Sequence, residues 1–368
     1  MKILFDHQAF TIQNYGGVSR YFAQIINGLP NKNVVSNLSL KYSNNIYLEN
    51  SKHGSKNFFK KNEFKGKKHL QNKLNKIHTL NVIKANSFDV FHPTYFDPYF
   101  IDKLKGKPFV ITVHDMIHEK YSEYFHFYEN ISRAKKKCVE MADAVIAVSQ
   151  NTKEDLIKYF GTDEKKVYVI YHGNSLKNNI AGRVTNIKLP DKYLLFVGRR
   201  DKYKNFTGLI EEAQKVLFER KDLFLICAGG GKFSNSEINL LKECKVYEKV
   251  IYLEVNDMML SSLYKNAVAF IFPSLYEGFG IPVLEAFGNG CPVILANCSS
   301  LPEVGGNAAL YFDPNDKGKL GSAILRVLSD DIIRGQLISN GYERLKNFSW
   351  EKAVERTIEV YKKVLHHV

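Results

Sequence analysis

A pair of glutamates with seven residues between them stands in the stretch PSLYEGFGIPVLEAFGNG, residues 273–290. This stretch is too apolar for a surface loop and too rich in glycine for a core strand. Gly278 and Gly280 allow backbone N–H groups to approach a ligand closely. Carboxylates on both sides of these glycines, Glu277 and Glu285, can accept hydrogen bonds from hydroxyl groups. The pattern therefore indicates a site for a polar small molecule.

A helix is predicted to begin near Ile281, with Pro282 in its first turn, where a missing N–H costs nothing. The free N–H groups at a helix start favour an anion. Glu285 falls about one turn into the helix and suits a ribose diol, while Glu277 lies on the other side of the anion. A phosphate group with sugars on both flanks is the arrangement of a nucleotide diphosphate sugar. The alternative is a glycine-capped helix whose acids only interact with the helix dipole.

A basic loop, FVGRRDKYKN, residues 196–205, follows another apolar strand. Gly198 permits a close approach of the backbone. Arg199 forms bidentate pairs with phosphate oxygens and Lys204 supplies a mobile point charge. Together they would neutralise a diphosphate leaving group, although two basic residues in a loop can also be merely solvated.

Two weaker candidates lie near the predicted strand ends of the first half. Gly16 and Gly17 follow the first strand and could form a concavity of N–H groups for the diphosphate. His114 stands at the carboxyl end of a predicted strand, where it could donate to a sugar hydroxyl or a phosphate; a structural histidine is the alternative. His92 and His172 also follow predicted strands and rank lower.

The composition is ordinary for a globular enzyme. Two domains are expected, because 368 residues exceed what one core usually supports. No apolar run reaches the length of a membrane span, and the start MKILFDHQAF does not resemble a signal peptide. The five cysteines form no CxxC pair, which favours free thiols in a reducing cytoplasm. No DxD triplet and no zinc-binding spacing occurs, so no metal site is predicted.

The net charge of +14 is unevenly distributed. Residues 1–190 carry 29 Lys or Arg against 16 Asp or Glu. Much of this excess lies in residues 52–76, which hold nine lysines and one glutamate with three phenylalanines between them. A nucleic acid, an anionic membrane and an anionic acceptor all fit this segment; so does a solvated lysine-rich surface.

Short apolar strands alternate with amphipathic helices in both halves of the chain, which predicts two doubly wound α/β domains. A polar break carrying Pro190 is the predicted linker, at about 176–190. Ligands of such domains bind at the carboxyl ends of the strands. Two such domains facing each other would form a cleft.

Taken together, these motifs resemble the retaining glycosyltransferases of family 4, which have the GT-B fold. The resemblance covers almost the whole chain, and the joint pattern is more specific than any one motif. The matching features, in chain order, are Gly16 and Gly17, His114 in VHD, residues 142–156, Arg199 and Lys204 in VGRRDKYK, Glu277 and Glu285 in EGFGIPVLE, and residues 301–314.

The resemblance implies a GT-B architecture of two Rossmann-like domains facing across a cleft. Residues 1–175 together with a returning C-terminal segment, 350–368, would form the acceptor-binding domain. Residues 190–349 would form the domain that binds the nucleotide sugar.

The resemblance also implies roles for individual residues. Glu285 would hold the ribose, and Arg199 and Lys204 the diphosphate. Glu277 and the amides of Phe279 and Gly280 would contact the donor sugar and the phosphate, and His114 would lie beside the anomeric centre. The expected catalytic residues are Glu277, His114, Arg199 and Lys204; the expected donor-binding residues are Gly16, Gly17, Gly198, Arg199, Lys204, Glu277, Gly278, Phe279, Gly280, Ile281 and Glu285.

The implied activity is retaining and independent of metal, with no cofactor besides the nucleotide sugar. GRRDKYKN is similar to mannosyltransferases that build bacterial surface polysaccharides, which suggests mannose from GDP-mannose; UDP-sugars remain open. A lipid-linked oligosaccharide or polysaccharide is the expected acceptor. The protein would be cytoplasmic, with residues 52–76 resting on an anionic membrane. A nucleic-acid-binding protein is the alternative of another class, but no recognition motif supports it.

Overall fold

The computed structural model describes residues 1–48, 57–59, 64–125, 128–176, 189–200 and 202–366. The chain divides into two compact units. Unit 1 comprises Met1–His172 and Trp350–Val368, and unit 2 comprises Gly173–Ser349. Within the described ranges, no helix combines the length and the apolar character needed to cross a membrane.

The described residues of unit 1 form six short strands. Those at the centre are buried along their whole length, as is usual where helices cover both faces of a parallel sheet. The strands are Lys2–Phe5 (β1), Val35–Leu38 (β2), Val90–His92 (β3), Val110–Val113 (β4), Ala144–Ala147 (β5) and Val167–Val169 (β6). The α-helices described between these strands are Gln8–Ile12 (α1), Gly17–Gly28 (α2), Lys67–Ala85 (α3), Ile117–Lys120 (α4), Tyr128–Met141 (α5) and Gln150–Phe160 (α6).

The strands of unit 1 pair in the order β2-β1-β3 and β4-β5-β6, all in parallel. A parallel bridge between Phe91 and Phe109 joins β3 to the start of β4. The carboxyl ends of all six strands therefore lie along one edge. His92 ends β3 at this edge, and the loops that carry Gly16 and His114 leave the sheet there.

The part of unit 2 that the structure describes forms a parallel sheet of six strands, in the order β12-β11-β10-β7-β8-β9. The strands are Lys192–Val197 (β7), Leu223–Ala228 (β8), Val250–Leu253 (β9), Ala269–Phe272 (β10), Val293–Ala296 (β11) and Ala309–Phe312 (β12). The helices are Phe206–Glu219 (α7), Asn235–Glu243 (α8), Asp257–Asn266 (α9), Ile281–Gly288 (α10), Leu301–Gly305 (α11), Lys319–Ser329 (α12) and Asp331–Leu345 (α13).

The direction in which strands are added to this sheet reverses at β7. The chain adds β8 and β9 on one side of β7 and then crosses over to add β10, β11 and β12 on the other side. The loops after β7 and β10 diverge at this point, which is where open α/β sheets bind ligands. These are the two loops that carry the predicted basic and glutamate motifs.

The final helix, Trp350–His366 (α14), returns to unit 1. Its Tyr361 hydroxyl lies 2.6 Å from Nδ1 of His92, at the end of β3. Val354 packs so closely on the end of α2 that a Cβ on Gly28 would lie 2.5 Å from it. The helix is thus an integral part of the unit 1 core.

Short 3-10 helices complete the secondary structure, at Leu29–Lys32, Ile46–Leu48, Ile101–Lys103, Ser122–Tyr124, Glu164–Lys166, Lys202–Lys204, Tyr247–Lys249 and Gly306–Ala308. Most of the predicted linker lies outside the described residues, which stop at 176 and resume at 189. Unit 1 ends at His172, three residues before the predicted domain end at 175.

Candidate functional site

Direct contacts join the loops after β7 and β10 at the edge of the unit 2 sheet. The Leu275 N–H donates to the Tyr203 carbonyl over 2.8 Å. Nζ of Lys204 lies 2.5 Å from Oε1 of Glu277, and the two side chains are only 17% and 13% exposed. Lys204 also lies 5.4 Å from the ring centre of Phe272. The structure thus brings the basic motif and the first glutamate together, as a direct ion pair.

The helix α10 begins at Ile281, with Gly280 as its N-cap at φ +103. This left-handed conformation favours glycine, and a Cβ at Gly280 would also lie 3.2 Å from Leu301. No described side chain caps the helix, and Pro282 occupies its first turn. The helix start therefore keeps amide donors and a positive dipole end for an anion.

Glu285 lies one turn into α10 and is 4% exposed. The Tyr264 hydroxyl donates to Glu285 Oε2 at a long 3.4 Å. A carboxylate in this position can accept further hydrogen bonds from a diol. The Asn289 side chain donates to the Glu285 carbonyl and fixes this turn of the helix.

A loop after β11, Cys298–Ser300, holds the glutamate motif in place. The Ser299 hydroxyl accepts from the Glu277 N–H over 3.0 Å. The buried Ser300 hydroxyl contacts two carbonyls, those of Glu277 at 2.9 Å and Phe279 at 3.0 Å. Sequence reasoning missed this loop, although three small polar residues directly after a buried strand were a usable signal.

Arg200 is a second residue that sequence reasoning missed. It follows the predicted phosphate ligand Arg199, yet its own side chain is 3% exposed and points into unit 2. It pairs with Glu237 at 2.6 Å and donates to the carbonyls of Gly229 and Gly231 at 3.1 and 2.6 Å. Arg200 therefore orders the three-glycine loop after β8, whereas Arg199 is exposed.

This three-glycine loop packs directly on the basic loop. All three glycines have positive φ, between +75 and +84. A Cβ on Gly230 would lie 2.4 Å from the Gly198 carbonyl oxygen and 3.0 Å from the Arg199 Cα. Gly198 itself has φ +112. The close packing of these two loops determines the backbone position from which Arg199 extends.

The predicted unit 1 residue His114 follows β4 and lies in an aromatic cluster. Its ring centre is 5.0 Å from that of Tyr21 and 6.1 Å from that of His172. Burial lowers the pKa of His114 to about 4, with Asp115 opposing this shift. Its Nε2 is buried and finds no hydrogen-bond partner in the described part of the chain. A neutral imidazole with an unused nitrogen is thus available to a ligand.

His92 has a structural environment. Its Nδ1 contacts Tyr361 and its Nε2 lies 3.0 Å from the Thr112 hydroxyl, so both ring nitrogens are satisfied. Burial and the neighbouring His114 lower the pKa of His92 to about 3. The ring is therefore neutral, and it ties α14 to the sheet.

Gly16 is the N-cap of α2 and Gly17 is its first residue. The Gln13 side chain folds over this turn, and its Oε1 accepts from the Ser19 N–H over 2.9 Å. Gln13 therefore already satisfies one of the amides of the expected diphosphate concavity. Gly17 is exposed, with no atoms near a built Cβ.

The predicted basic segment, 52–76, is described only in part, because residues 52–56 and 60–63 lie outside the described ranges. The described part continues into α3. One lysine, Lys67, is buried and donates to the Phe59 carbonyl over 2.8 Å. The exposed surface combines large apolar side chains with lysines: Phe59, Phe64, Leu70 and Ile77 lie among Lys65, Lys68 and Lys73.

Two family models match the chain. Residues 15–177 match the model described as Glycosyltransferase Family 4, and residues 177–344 match Glycosyl transferases group 1. An O-antigen chain mannosyltransferase B of Escherichia coli is 30% identical over 287 residues, which cover 74% of each chain. The chain belongs to the family 4 glycosyltransferases.

A further relative of this glycosyltransferase is an O-antigen chain mannosyltransferase of Salmonella typhimurium, 32% identical over 227 residues. That match covers 61% of this chain and 62% of the relative. The resemblance to glycosyltransferases that was predicted from the motifs is confirmed.

Solved structures confirm the GT-B fold with two Rossmann-like domains. The sucrose-phosphate synthase of Thermosynechococcus elongatus superposes with a TM-score of 0.79 at 20% identity, over 100% of this chain and 99% of that one. The Anabaena protein HepE, in complex with UDP and glucose, superposes with a TM-score of 0.75 at 17% identity, over 98% of this chain and 99% of that one.

The expected site residues of this glycosyltransferase fall into two groups. Those of unit 2 gather at the carboxyl edge of its sheet, around the Lys204–Glu277 pair and the start of α10. Gly16, Gly17 and His114 belong to unit 1, at the corresponding edge of the other sheet. Among the residues that the structure describes, no three His, Cys, Asp or Glu side chains come together in a way that could hold a metal ion.

Proposed function

We propose that this glycosyltransferase transfers mannose from GDP-mannose, with retention and without a metal, to a lipid-linked oligosaccharide or polysaccharide of the cell surface. Unit 2 binds the donor and unit 1 the acceptor. The observation that carries the donor site is the pairing of the basic loop and the glutamate loop where strand order reverses. The mannosyltransferase names of two relatives support the choice of sugar.

The donor site is built for a diphosphate with a sugar on each side. Arg199 and Lys204 supply two positive charges to the phosphates. The start of α10 supplies amides to the same anion. Glu285 accepts the ribose hydroxyls, and Glu277 contacts the transferred sugar. Lys204 must then exchange its contact with Glu277, or share it, when the diphosphate binds.

The reaction breaks the bond between the sugar C1 and the diphosphate oxygen. The acceptor oxygen forms its bond to C1 on the same face, which retains the configuration. The acceptor proton passes to the departing phosphate oxygen, so no enzymic base is required. Arg199 and Lys204 stabilise the charge that develops on the diphosphate. His114 of unit 1 is neutral because burial lowers its pKa to about 4, and its Nε2 contributes a hydrogen bond to a sugar.

Thermal-shift titration tests the donor assignment. GDP, UDP, ADP and TDP are each added with EDTA to the wild type, to Glu285→Ala, and to Glu219→Ala, which removes an exposed acid elsewhere in unit 2. A ligand at 100 times its Kd stabilises by about 2.7 kcal/mol. We expect GDP to act selectively on the wild type and the control but not on Glu285→Ala. A response to UDP alone would establish the UDP-sugar alternative, and no response at all would refute the donor site.

A transfer assay with EDTA then tests the chemistry. GDP-mannose and a synthetic lipid-linked acceptor are incubated with enzyme, and the anomeric configuration of the product is read by NMR. An α-linked product from the α-linked donor is expected. A β-linked product, or an activity that EDTA abolishes, would contradict retention or metal independence respectively.

We also propose that the protein works at the cytoplasmic face of an anionic membrane. The described part of residues 52–76 carries exposed lysines together with exposed apolar side chains, and lysines favour an anionic membrane surface. Each lysine near an anionic surface contributes about 1 kcal/mol. No nucleic acid is required as a partner.

Liposome sedimentation tests this contact. Replacing Lys68 and Lys73 by serine should weaken binding to anionic vesicles by up to about 30-fold at low salt, at about 1 kcal/mol for each lysine. The control replaces Lys136 and Lys137, two exposed lysines of α5, in the same way. Equal binding to neutral and anionic vesicles, or equal losses in both variants, would refute the membrane contact.

A further inference from the structure

A cluster of charged and polar side chains lies in unit 1 where the loop that carries His114 continues into α4. Glu119 pairs with Lys135 of α5, with Nζ 2.8 Å from Oε2, and the two side chains are 5% and 1% exposed. Lys135 also donates to the Asp115 carbonyl over 3.1 Å. Tyr95 lies in the loop after β3; burial raises its pKa to about 12, and the nearby Asp115 and Glu119 add to this shift.

Two atoms of this cluster have no partner. Oε1 of Glu119 and Nδ1 of His118 are both buried, and neither finds a hydrogen-bond partner among the described residues. Buried polar atoms without partners are rare in native structures and each one requires an explanation. Here two occur on adjacent residues at a ligand-binding edge of the sheet. A bound molecule that supplies the missing partners accounts for both.

The charges of the cluster favour a neutral molecule. Lys135 already balances the carboxylate of Glu119, and it would repel a cation. Burial lowers the pKa of His118, with Lys135 as the next cause, so its ring is neutral near pH 7. A carboxylate oxygen can only accept a hydrogen bond, whereas a neutral imidazole nitrogen can accept or donate one. Adjacent hydroxyl groups satisfy both atoms.

Aromatic rings also border the cluster. The Phe125 ring centre lies 4.6 Å from that of His118. Tyr95 and Phe96 form another pair, with centres 4.7 Å apart, and Lys135 lies 5.4 Å from the centre of Phe96. Hydrogen-bonding groups among aromatic rings are the chemistry that recognises a pyranose, which carries hydroxyls at its rim and C–H groups on its faces.

We propose that Glu119 and His118 bind two neighbouring hydroxyls of the acceptor's terminal pyranose. The proposal rests on the proposed function, because it assigns the acceptor to unit 1, and it specifies which side chains select that acceptor. Glu119 is held by Lys135, so a single carboxylate oxygen is directed to the sugar. His118 contributes the second contact, four residues beyond His114.

Saturation-transfer NMR with methyl mannopyranoside, glucopyranoside and galactopyranoside tests this site, in the presence of a saturating nucleoside diphosphate that occupies the donor site. At least one pyranoside should bind the wild type. Glu119→Gln should weaken that binding at least 10-fold, because the amide nitrogen cannot accept. Glu123→Gln makes the same charge change at an exposed position of the same loop, and should bind as the wild type does.

Calorimetry with the nucleoside diphosphate alone accompanies each variant, and affinity within twofold of the wild type is expected throughout. Pyranoside binding that survives in Glu119→Gln, or no pyranoside binding by a wild type that still binds nucleotide, would overturn the acceptor site alone. A wild type that binds no nucleotide would instead refute the proposed function. Where Glu119→Gln does not fold, His118→Phe, which removes both ring nitrogens and keeps the Lys135 ion pair, must show the same 10-fold loss.

Discussion

The ion pair between Lys204 and Glu277 predicts opposite effects of its two single variants on nucleotide binding. Lys204→Met removes one of the two cations expected to contact the diphosphate. A hydrogen bond to a charged group contributes about 1.5–3 kcal/mol, so the affinity for a nucleoside diphosphate should fall about 10- to 100-fold. Glu277→Gln instead removes the charge that competes for Lys204. The bare nucleoside diphosphate should then bind as tightly as before, or up to about 10-fold more tightly.

The same pair predicts a cost in stability. Exposed ion pairs contribute about 0–1 kcal/mol, and breaking a fully buried pair costs about 3–5 kcal/mol. Because the side chains are 17% and 13% exposed, we expect each single variant to lower the free energy of unfolding of unit 2 by about 2 kcal/mol. The double variant should lower the free energy of unfolding by less than the sum of the two single variants, since it leaves no uncompensated charge.

The assays must separate the two units. Trp350 is the single tryptophan of the chain and belongs to unit 1, so its fluorescence does not report on unit 2. Hydrogen exchange of peptides spanning 273–280 measures unit 2 stability, and calorimetry with GDP and UDP measures binding. If Glu277→Gln lowered the affinity for the bare nucleotide as much as Lys204→Met does, the ion pair would not compete with the diphosphate and the reasoning would fail.

Three further predictions concern other parts of the molecule. Glu285→Gln should weaken the binding of a nucleoside diphosphate about 10-fold or more but leave the binding of its 2′-deoxy analogue unchanged, as measured by calorimetry. Equal losses of affinity for the two nucleotides would exclude a ribose contact. Gly230→Ala should destabilise unit 2 by at least about 1 kcal/mol more than Gly231→Ala, measured by hydrogen exchange, because only the first Cβ meets backbone atoms; equal costs would indicate backbone strain alone. His92 should lower the free energy of unfolding of unit 1 by about 2 kcal/mol between pH 7 and pH 5, because the pKa of its ring is 6.5 in the unfolded chain and about 3 in the folded one. Urea unfolding followed by Trp350 fluorescence measures this loss. If the stability of His92→Gln fell with pH as steeply as that of the wild type, the prediction would be contradicted.

The existence of the two motifs in unit 2 was predictable from the sequence, whereas their contact was not. Glycines and charges that follow apolar strands place both motifs at the carboxyl edge of a sheet. The pairing of Lys204 with Glu277 depends on β10 lying beside β7, although β8 and β9 come between them in the chain. Local patterns do not encode this crossover. Arg200 escaped prediction for a related reason, since its partners Gly229 and Glu237 are distant in sequence.

The helix α3 shows where hydrophobic periodicity fails. Its buried side chains include Gln71, Asn75 and Thr79, which recur every four residues but are polar. Asn75 donates to the Tyr42 carbonyl and Thr79 to the Ser39 carbonyl, so hydrogen bonds take the place of apolar packing. Apolar residues at helical spacing are not evident in this lysine-rich segment. The sequence analysis therefore predicted only the charge of this region and not the helix.

The position of α14 bears on the order of events during synthesis. The sequence of unit 2 is complete at Ser349, before the last helix of unit 1 has left the ribosome. Until then His92 lacks its Tyr361 partner and the end of α2 lacks the cover that Val354 provides. Domains generally fold from the N-terminus onward. Here unit 2 can reach its native state while unit 1 is still incomplete because α14 has not been added. A nascent chain stalled within α14 would thus expose the core of its earliest-made part to chaperones.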